Sequence, residues 1–141
     1  MKHYFLIFCT LILFSSAWVK ATADTGDQHH GLGAVVEADV DNPAIRDAAD
    51  YVTRTANTNN CNGLCASLKR TGKLKLLEIL SAKTQVVAGI LYKMELLLED
   101  EKGQQVLFTC SVWNRPWNTG QNGGDDHHNH ITKFHYQYID P

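Results

Sequence analysis

The sequence predicts an α+β fold, with one helix packed on an antiparallel sheet. Three observations carry this. Apolar residues recur at helical spacing in a single stretch, Ile45, Ala48, Ala49, Val52 and Ala56. From Lys73 onward the period shifts to alternation, repeated over successive short segments. The order of patterns is therefore one helix followed by a run of strands, the α+β arrangement rather than alternating β-α units. There is no internal repeat.

Taken in chain order, residues 1–23 read as a secretory signal peptide. Lys2 and His3 precede a nearly unbroken apolar run over residues 4–14, and Ala21-Thr22-Ala23 offers a small-residue cleavage site. That run has 11 residues, against roughly 20 for a bilayer-spanning helix. Cleavage after Ala17 is the alternative. Residues 24–141 are then one domain, exported and without a membrane anchor. Residues 24–34 hold Gly26, Gly31 and Gly33 with little apolar matter, which predicts an extended arm.

The helix begins at Asn42-Pro43, a capping side chain followed by a residue whose missing N–H costs nothing at that position. Its apolar stripe implies about four turns and one buried face. Asn57-Thr58-Asn59-Asn60, all poor helix formers, ends it. A first strand starts at Lys73, where Leu74, Leu76 and Leu80 alternate with polar residues and Leu77 and Ile79 blur the pattern. The second carries Ile90, Tyr92, Met94, Leu96 and Leu98, and a turn follows at Glu101-Lys102-Gly103-Gln104. A third covers residues 106–113 and stops before Pro116, because proline donates nothing to a ladder. The last covers residues 131–139, with Phe134, Tyr136 and Tyr138 on one face. Polar, glycine-rich residues 118–130 read as a long loop.

Composition narrows the function classes. The chain has 141 residues, 44% hydrophobic and 20% charged, with a formal net charge of −2. Loss of Lys2 and Lys20 with the signal takes 13 basic residues to 11 against 15 acidic ones, a formal −4. No basic field argues for nucleic acid. Cys61, Cys65 and Cys110 remain after the signal is removed, and three thiols cannot all pair within one chain. Cys61 with Cys65, or Cys110 with either, are open choices. No G-x-S-x-G, HExxH or phosphate-loop pattern is present, so the protein does not read as an enzyme, and no cofactor is implied.

Three features resist explanation as core. Gly33 lies in the arm, Gln85-Val86-Val87-Ala88-Gly89 forms an apolar strand connection, and Pro116-Trp117 follows a strand end. Turn tips normally carry residues that tolerate water, so valines and a tryptophan there mark a contact surface. In a meander the first and third connections fall at the same end of the sheet. If the arm reaches that end too, the three segments make one apolar edge.

These residues resemble a known family. Gln85-Val86-Val87-Ala88-Gly89 is similar to the QxVxG signature of the cystatins, Pro116-Trp117 to their second-hairpin PW pair, and Gly33 to their N-terminal glycine. The signal peptide, Leu80-Ser81-Ala82-Lys83 and Phe108-Thr109-Cys110-Ser111-Val112 resemble a secreted type 2 cystatin. The resemblance implies a long helix packed on a curved antiparallel sheet of four to five strands. It also implies a monomeric, reversible, non-covalent inhibitor of papain-like cysteine proteases such as cathepsins. Gly33, Gln85, Val86, Val87, Ala88, Gly89, Pro116 and Trp117 would then form the protease-binding edge. Of the four cysteine positions usual in type 2 members, only Cys110 has a match.

Asp125-Asp126-His127-His128-Asn129-His130 supports a rival reading. Imidazoles and carboxylates bind divalent metals, so the alternative is a non-inhibitory protein of the same fold with a metal-binding or host-defence role. A glycine-rich loop lacks the fixed spacing and supporting hydrogen bonds of a built metal site, so no metal ligand is assigned.

Overall fold

A computed structural model describes residues 33–61, 63–118 and 128–140. The signal segment and nearly all of the arm lie outside these residues. In chain order the elements are β1 (Val35–Glu37), α1 (Pro43–Asn57), β2 (Lys75–Val87), β3 (Gly89–Glu99), β4 (Gln105–Asn114) and β5 (Asn129–Ile139). The five strands form one sheet in sequential order, every neighbouring pair antiparallel.

Helix α1 starts where the sequence says it should. Asn42 is extended (φ −60°, ψ 127°), and its Oδ1 accepts the Ala44 N–H at 2.9 Å, with Pro43 at the first helical position. No acid sits in the first turn; Asp47 and Asp50 come later. The stripe of Ile45, Ala48, Ala49, Val52 and Ala56 is fully buried. Burying Ile45 and Val52 contributes about 1.5–3 kcal/mol each. The helix stops at Asn57, and the side chain of that residue replaces the ladder it interrupts. Its Nδ2 donates to the Leu74 carbonyl at 2.9 Å and its Oδ1 accepts the Leu74 N–H at 2.8 Å. The helix end is thereby tied to the entry of β2.

The sheet face against the helix carries Tyr92, Met94, Leu96 and Leu98 from β3 and Val106, Phe108, Cys110 and Val112 from β4, all buried. Ala82 and Ile131 complete it. Phe108 meets Phe134 edge to face at 4.6 Å. Tyr136 donates to the Ser67 carbonyl at 2.8 Å, and the Tyr138 hydroxyl accepts the Lys69 N–H at 2.7 Å. These phenols hold the α1–β2 link against β5.

Four features differ from the sequence reading, the first being that Gln85, Val86 and Val87, expected in the strand connection, pair within β2 and leave only Ala88 between β2 and β3. Strand β1 is additional; three residues are too few to display a period. Strand β2 shifts register between Leu76 and Glu78 and again between Ile79 and Ser81. Each shift turns the following side chains over, which explains why Leu77 and Ile79 blurred the alternation. Strand β5 begins at Asn129, so the predicted loop over residues 118–130 ends sooner. Pairing of the cysteines is settled as Cys61 with Cys65, and Cys110 stays a free, buried thiol. Burial pushes the Cys110 thiol up to about 12.

The β3–β4 turn is built on one carboxylate. Asp100 accepts the N–H groups of Thr71 at 3.0 Å, Lys102 at 2.9 Å and Gln104 at 3.0 Å. The Thr71 N–H is the main cause that holds its carboxyl below the ordinary value of 3.8. A depressed carboxylate stabilises the fold fully above its unfolded value, and the contribution is lost as pH falls through the folded value. Asp100→Ala should therefore melt below wild type at pH 7, with the gap closing as both are titrated below the ordinary aspartate range. For a chain beginning at Asp24, a thiol-specific colour reagent should find no reactive thiol in the native protein and one in denaturant. A thiol that reacts in the native state would contradict the burial of Cys110.

Candidate functional site

The site is best built outward from the β2–β3 turn. The ladder closes at Val87 opposite Gly89, leaving Ala88 alone in the turn. Gly89 has φ +91°, a backbone conformation that disfavours any residue with a β-carbon. Space imposes the same choice. A β-carbon at residue 89 would stand 2.2 Å from the Asn114 carbonyl oxygen and 3.2 Å from Cη2 of Trp117.

Those two neighbours belong to the other hairpin. Asn114 ends β4 opposite Ile90, and Arg115-Pro116-Trp117 turns away from it toward β5. The Arg115 N–H donates to the His128 carbonyl at 2.7 Å, and the Asn118 N–H donates to the Arg115 carbonyl at 2.9 Å. Trp113 closes the gap between the hairpins, its indole N–H donating to the Ala88 carbonyl at 2.6 Å. The guanidinium of Arg115 lies over the Trp113 ring, 4.8 Å from its centroid.

The third segment joins from the N-terminal side. The Gly33 N–H donates to the Val86 carbonyl at 3.0 Å, and Gln85 Nε2 donates to the Gly33 carbonyl at 2.8 Å. Strand β1 continues this pairing, with Val35 opposite Gln85. All eight sequence-selected residues, Gly33, Gln85 to Gly89, Pro116 and Trp117, therefore lie at one end of the sheet. Their tips face solvent: Trp117 is 60% exposed, Val86 50% and Val87 38%. Gln85 differs from the rest, because its amide is spent on holding Gly33. None of the eight side chains ionises, so the edge offers shape and apolar area rather than reactive groups.

Sequence reasoning missed Trp113, Asn114 and Arg115. A signal existed for Trp113. It follows Val112, an inward position, and so falls on the outward face of β4, where a large aromatic needs a reason. Behind the edge lies a polar recess of about 330 Å³ lined by Asp47, Arg54, Tyr92, Asn114, His128 and Asn129. Desolvation, with the Asp47 charge second, raises the Tyr92 phenol above its ordinary value of 10.0, so it stays neutral at physiological pH. Of the histidine-rich stretch, Asp125, Asp126 and His127 lie outside the described residues. Among the described residues no group of three or more His, Cys, Asp or Glu side chains could hold a metal ion. Among them, too, no helix is long and apolar enough to cross a membrane.

Comparison with known proteins bears on the fold. A family profile for the cystatin domain matches residues 33–122. A 49-residue stretch is 35% identical to the multicystatin of Solanum tuberosum. It covers 35% of this chain and only 6% of that much longer protein. Among solved structures, dimeric human cystatin F superposes with a TM-score of 0.58 at 17% identity, covering 77% of this chain and 89% of that one. The structure titled Al-CPI superposes with a TM-score of 0.57 at 23% identity, covering 76% of this chain and 100% of that one.

Proposed function

The chain belongs to the cystatin family, and from that premise we propose that it is a secreted, monomeric, reversible inhibitor of papain-like cysteine proteases of the cathepsin type. Cystatins as a family inhibit cysteine proteases and are not enzymes. The finer reading is that this chain plugs the active-site cleft without covalent chemistry, using Gly33, the Gln85–Gly89 segment at the β2–β3 hairpin and Pro116-Trp117 as a three-part wedge. Export rests on residues 1–23 acting as a cleaved signal.

One observation carries the proposal: the valines at the end of β2 and the tryptophan after β4 are exposed beside two turns that touch each other. Exposed apolar side chains lose favourable hydration entropy in water and regain it on burial against a groove. A papain-like cleft is a long groove with a Cys–His pair at its floor. A wedge of that width covers the pair from both sides and excludes substrate and water. Val86 and Val87 supply central apolar contact. Trp117 brings large area with few rotamers to lose, the usual character of an energetic anchor. Gly33 lets the backbone come close to the groove wall. Because the turns are already fixed to each other, little ordering entropy opposes association.

Titration of papain with the chain beginning at Asp24 tests this, run with and without EDTA. Stoichiometric inhibition unaffected by EDTA is expected. Trp117→Ala should weaken it by about 2 kcal/mol or more, roughly 30-fold, with no loss of thermal stability, since the ring is mostly in solvent. Gly89→Arg should abolish it. Full papain activity in the presence of a large excess of folded wild-type protein would overturn the proposal. Activity that appears only with added metal would point instead to the histidine-rich stretch.

A further inference from the structure

The edge described above is held together by a contact chain that nothing in the wedge itself requires. The carbonyl of Ala88 lies outside the β2–β3 ladder, which closes at Val87 and Gly89. It accepts the Trp113 indole N–H at 2.6 Å. Trp113 belongs to β4 and pairs with Leu91, so its side chain reaches across β3 to the turn of the neighbouring hairpin. The far side of that ring is covered by Arg115 at 4.8 Å. Arg115 is itself anchored through both backbone groups, its N–H on the His128 carbonyl and its carbonyl on the Asn118 N–H. Its Nε is buried with no hydrogen-bond partner, and its guanidinium stacks on the indole.

We propose that Trp113 is the positioning residue of the inhibitory edge, a cross-hairpin bolt that sets the β2–β3 turn against the β4–β5 turn, with Arg115 as its cap. This rests on the reading of the edge as a protease-binding wedge. Trp113 does not meet the enzyme in this scheme. It acts through Ala88 by fixing where Val86 and Val87 stand relative to Trp117. Without the bolt the β2–β3 turn keeps its ladder but gains freedom at Ala88 and Gly89. Association then has to order the turn, and the complex it forms dissociates faster.

Trp113→Phe removes the N–H together with the five-membered part of the indole and keeps an aromatic ring on which Arg115 can stack. A hydrogen bond of this type is worth up to about a tenfold change in an equilibrium constant. The expected result is papain inhibition weaker by about tenfold, carried by the off-rate, at a melting temperature within a few degrees of wild type. Backbone order parameters at Ala88 and Gly89 should fall from the rigid range near about 0.85 toward about 0.6. Arg115→Ala, which uncovers the ring but leaves the N–H, should move both readouts in the same direction by a smaller amount. Inhibition unchanged in Trp113→Phe would overturn the proposal. So would order parameters unchanged in both variants, or a loss of inhibition fully matched by a loss of thermal stability. If wild type itself leaves papain active, the functional reading fails separately, and the order parameters alone decide whether the bolt exists.

Discussion

The Asn114 carbonyl stands where a β-carbon of residue 89 would have to go, 2.2 Å away. Much of the working end of the molecule depends on that absence. With glycine at 89, the first hairpin folds over the end of β4 and its turn meets Trp117. With any larger residue the two hairpins must part. The positive φ at Gly89 selects glycine for the turn, and the carbonyl selects it for the contact between turns. Either reason alone could be relaxed by a small shift of the backbone. Together they couple the shape of one loop to the position of the other.

Placing both turns at that end is a matter of parity. In a five-stranded meander, alternate connections fall at alternate ends, so the β2–β3 and β4–β5 turns share one end and the β3–β4 turn takes the other. The N-terminal segment comes back to the first end because β1 runs antiparallel to β2, with Gly33 bonded to Val86 and Gln85. Helix α1 serves this arrangement from beneath. Three of its five stripe residues are alanine, which lets the helix lie close to a sheet face of larger side chains such as Met94, Leu96 and Phe108.

What was legible in the sequence follows from which forces act locally. The α1 cap at Asn42 and its stripe were readable because capping and period are properties of a few neighbouring residues. The eight edge residues were readable as a group because apolar turn tips contradict the usual chemistry of turns, and meander parity then brings them together. Strand β1 was not readable; three residues carry no period, and its existence depends on β2 being beside it. The double register shift in β2 scrambled alternation at Leu77 and Ile79, since side chains change face wherever pairing slips. Trp113 and Arg115 escaped notice because their importance lies in a bond to Ala88, which is 25 residues from Trp113. The choice among cysteine pairings needed coordinates too, because three thiols leave the arithmetic undecided.

That pairing has a consequence for how the molecule tolerates its surroundings. Cys61 and Cys65 are four positions apart, so their bridge tightens a small piece of the α1–β2 link and joins no strand to another. On a chain-entropy view a loop that short is worth about 2 kcal/mol. The pleated face, the helix stripe and the two meeting turns are held by packing, backbone ladders and side-chain hydrogen bonds such as that from Trp113 to Ala88. A thiol-rich, reducing milieu can therefore open the link without unstitching the end that would grip an enzyme.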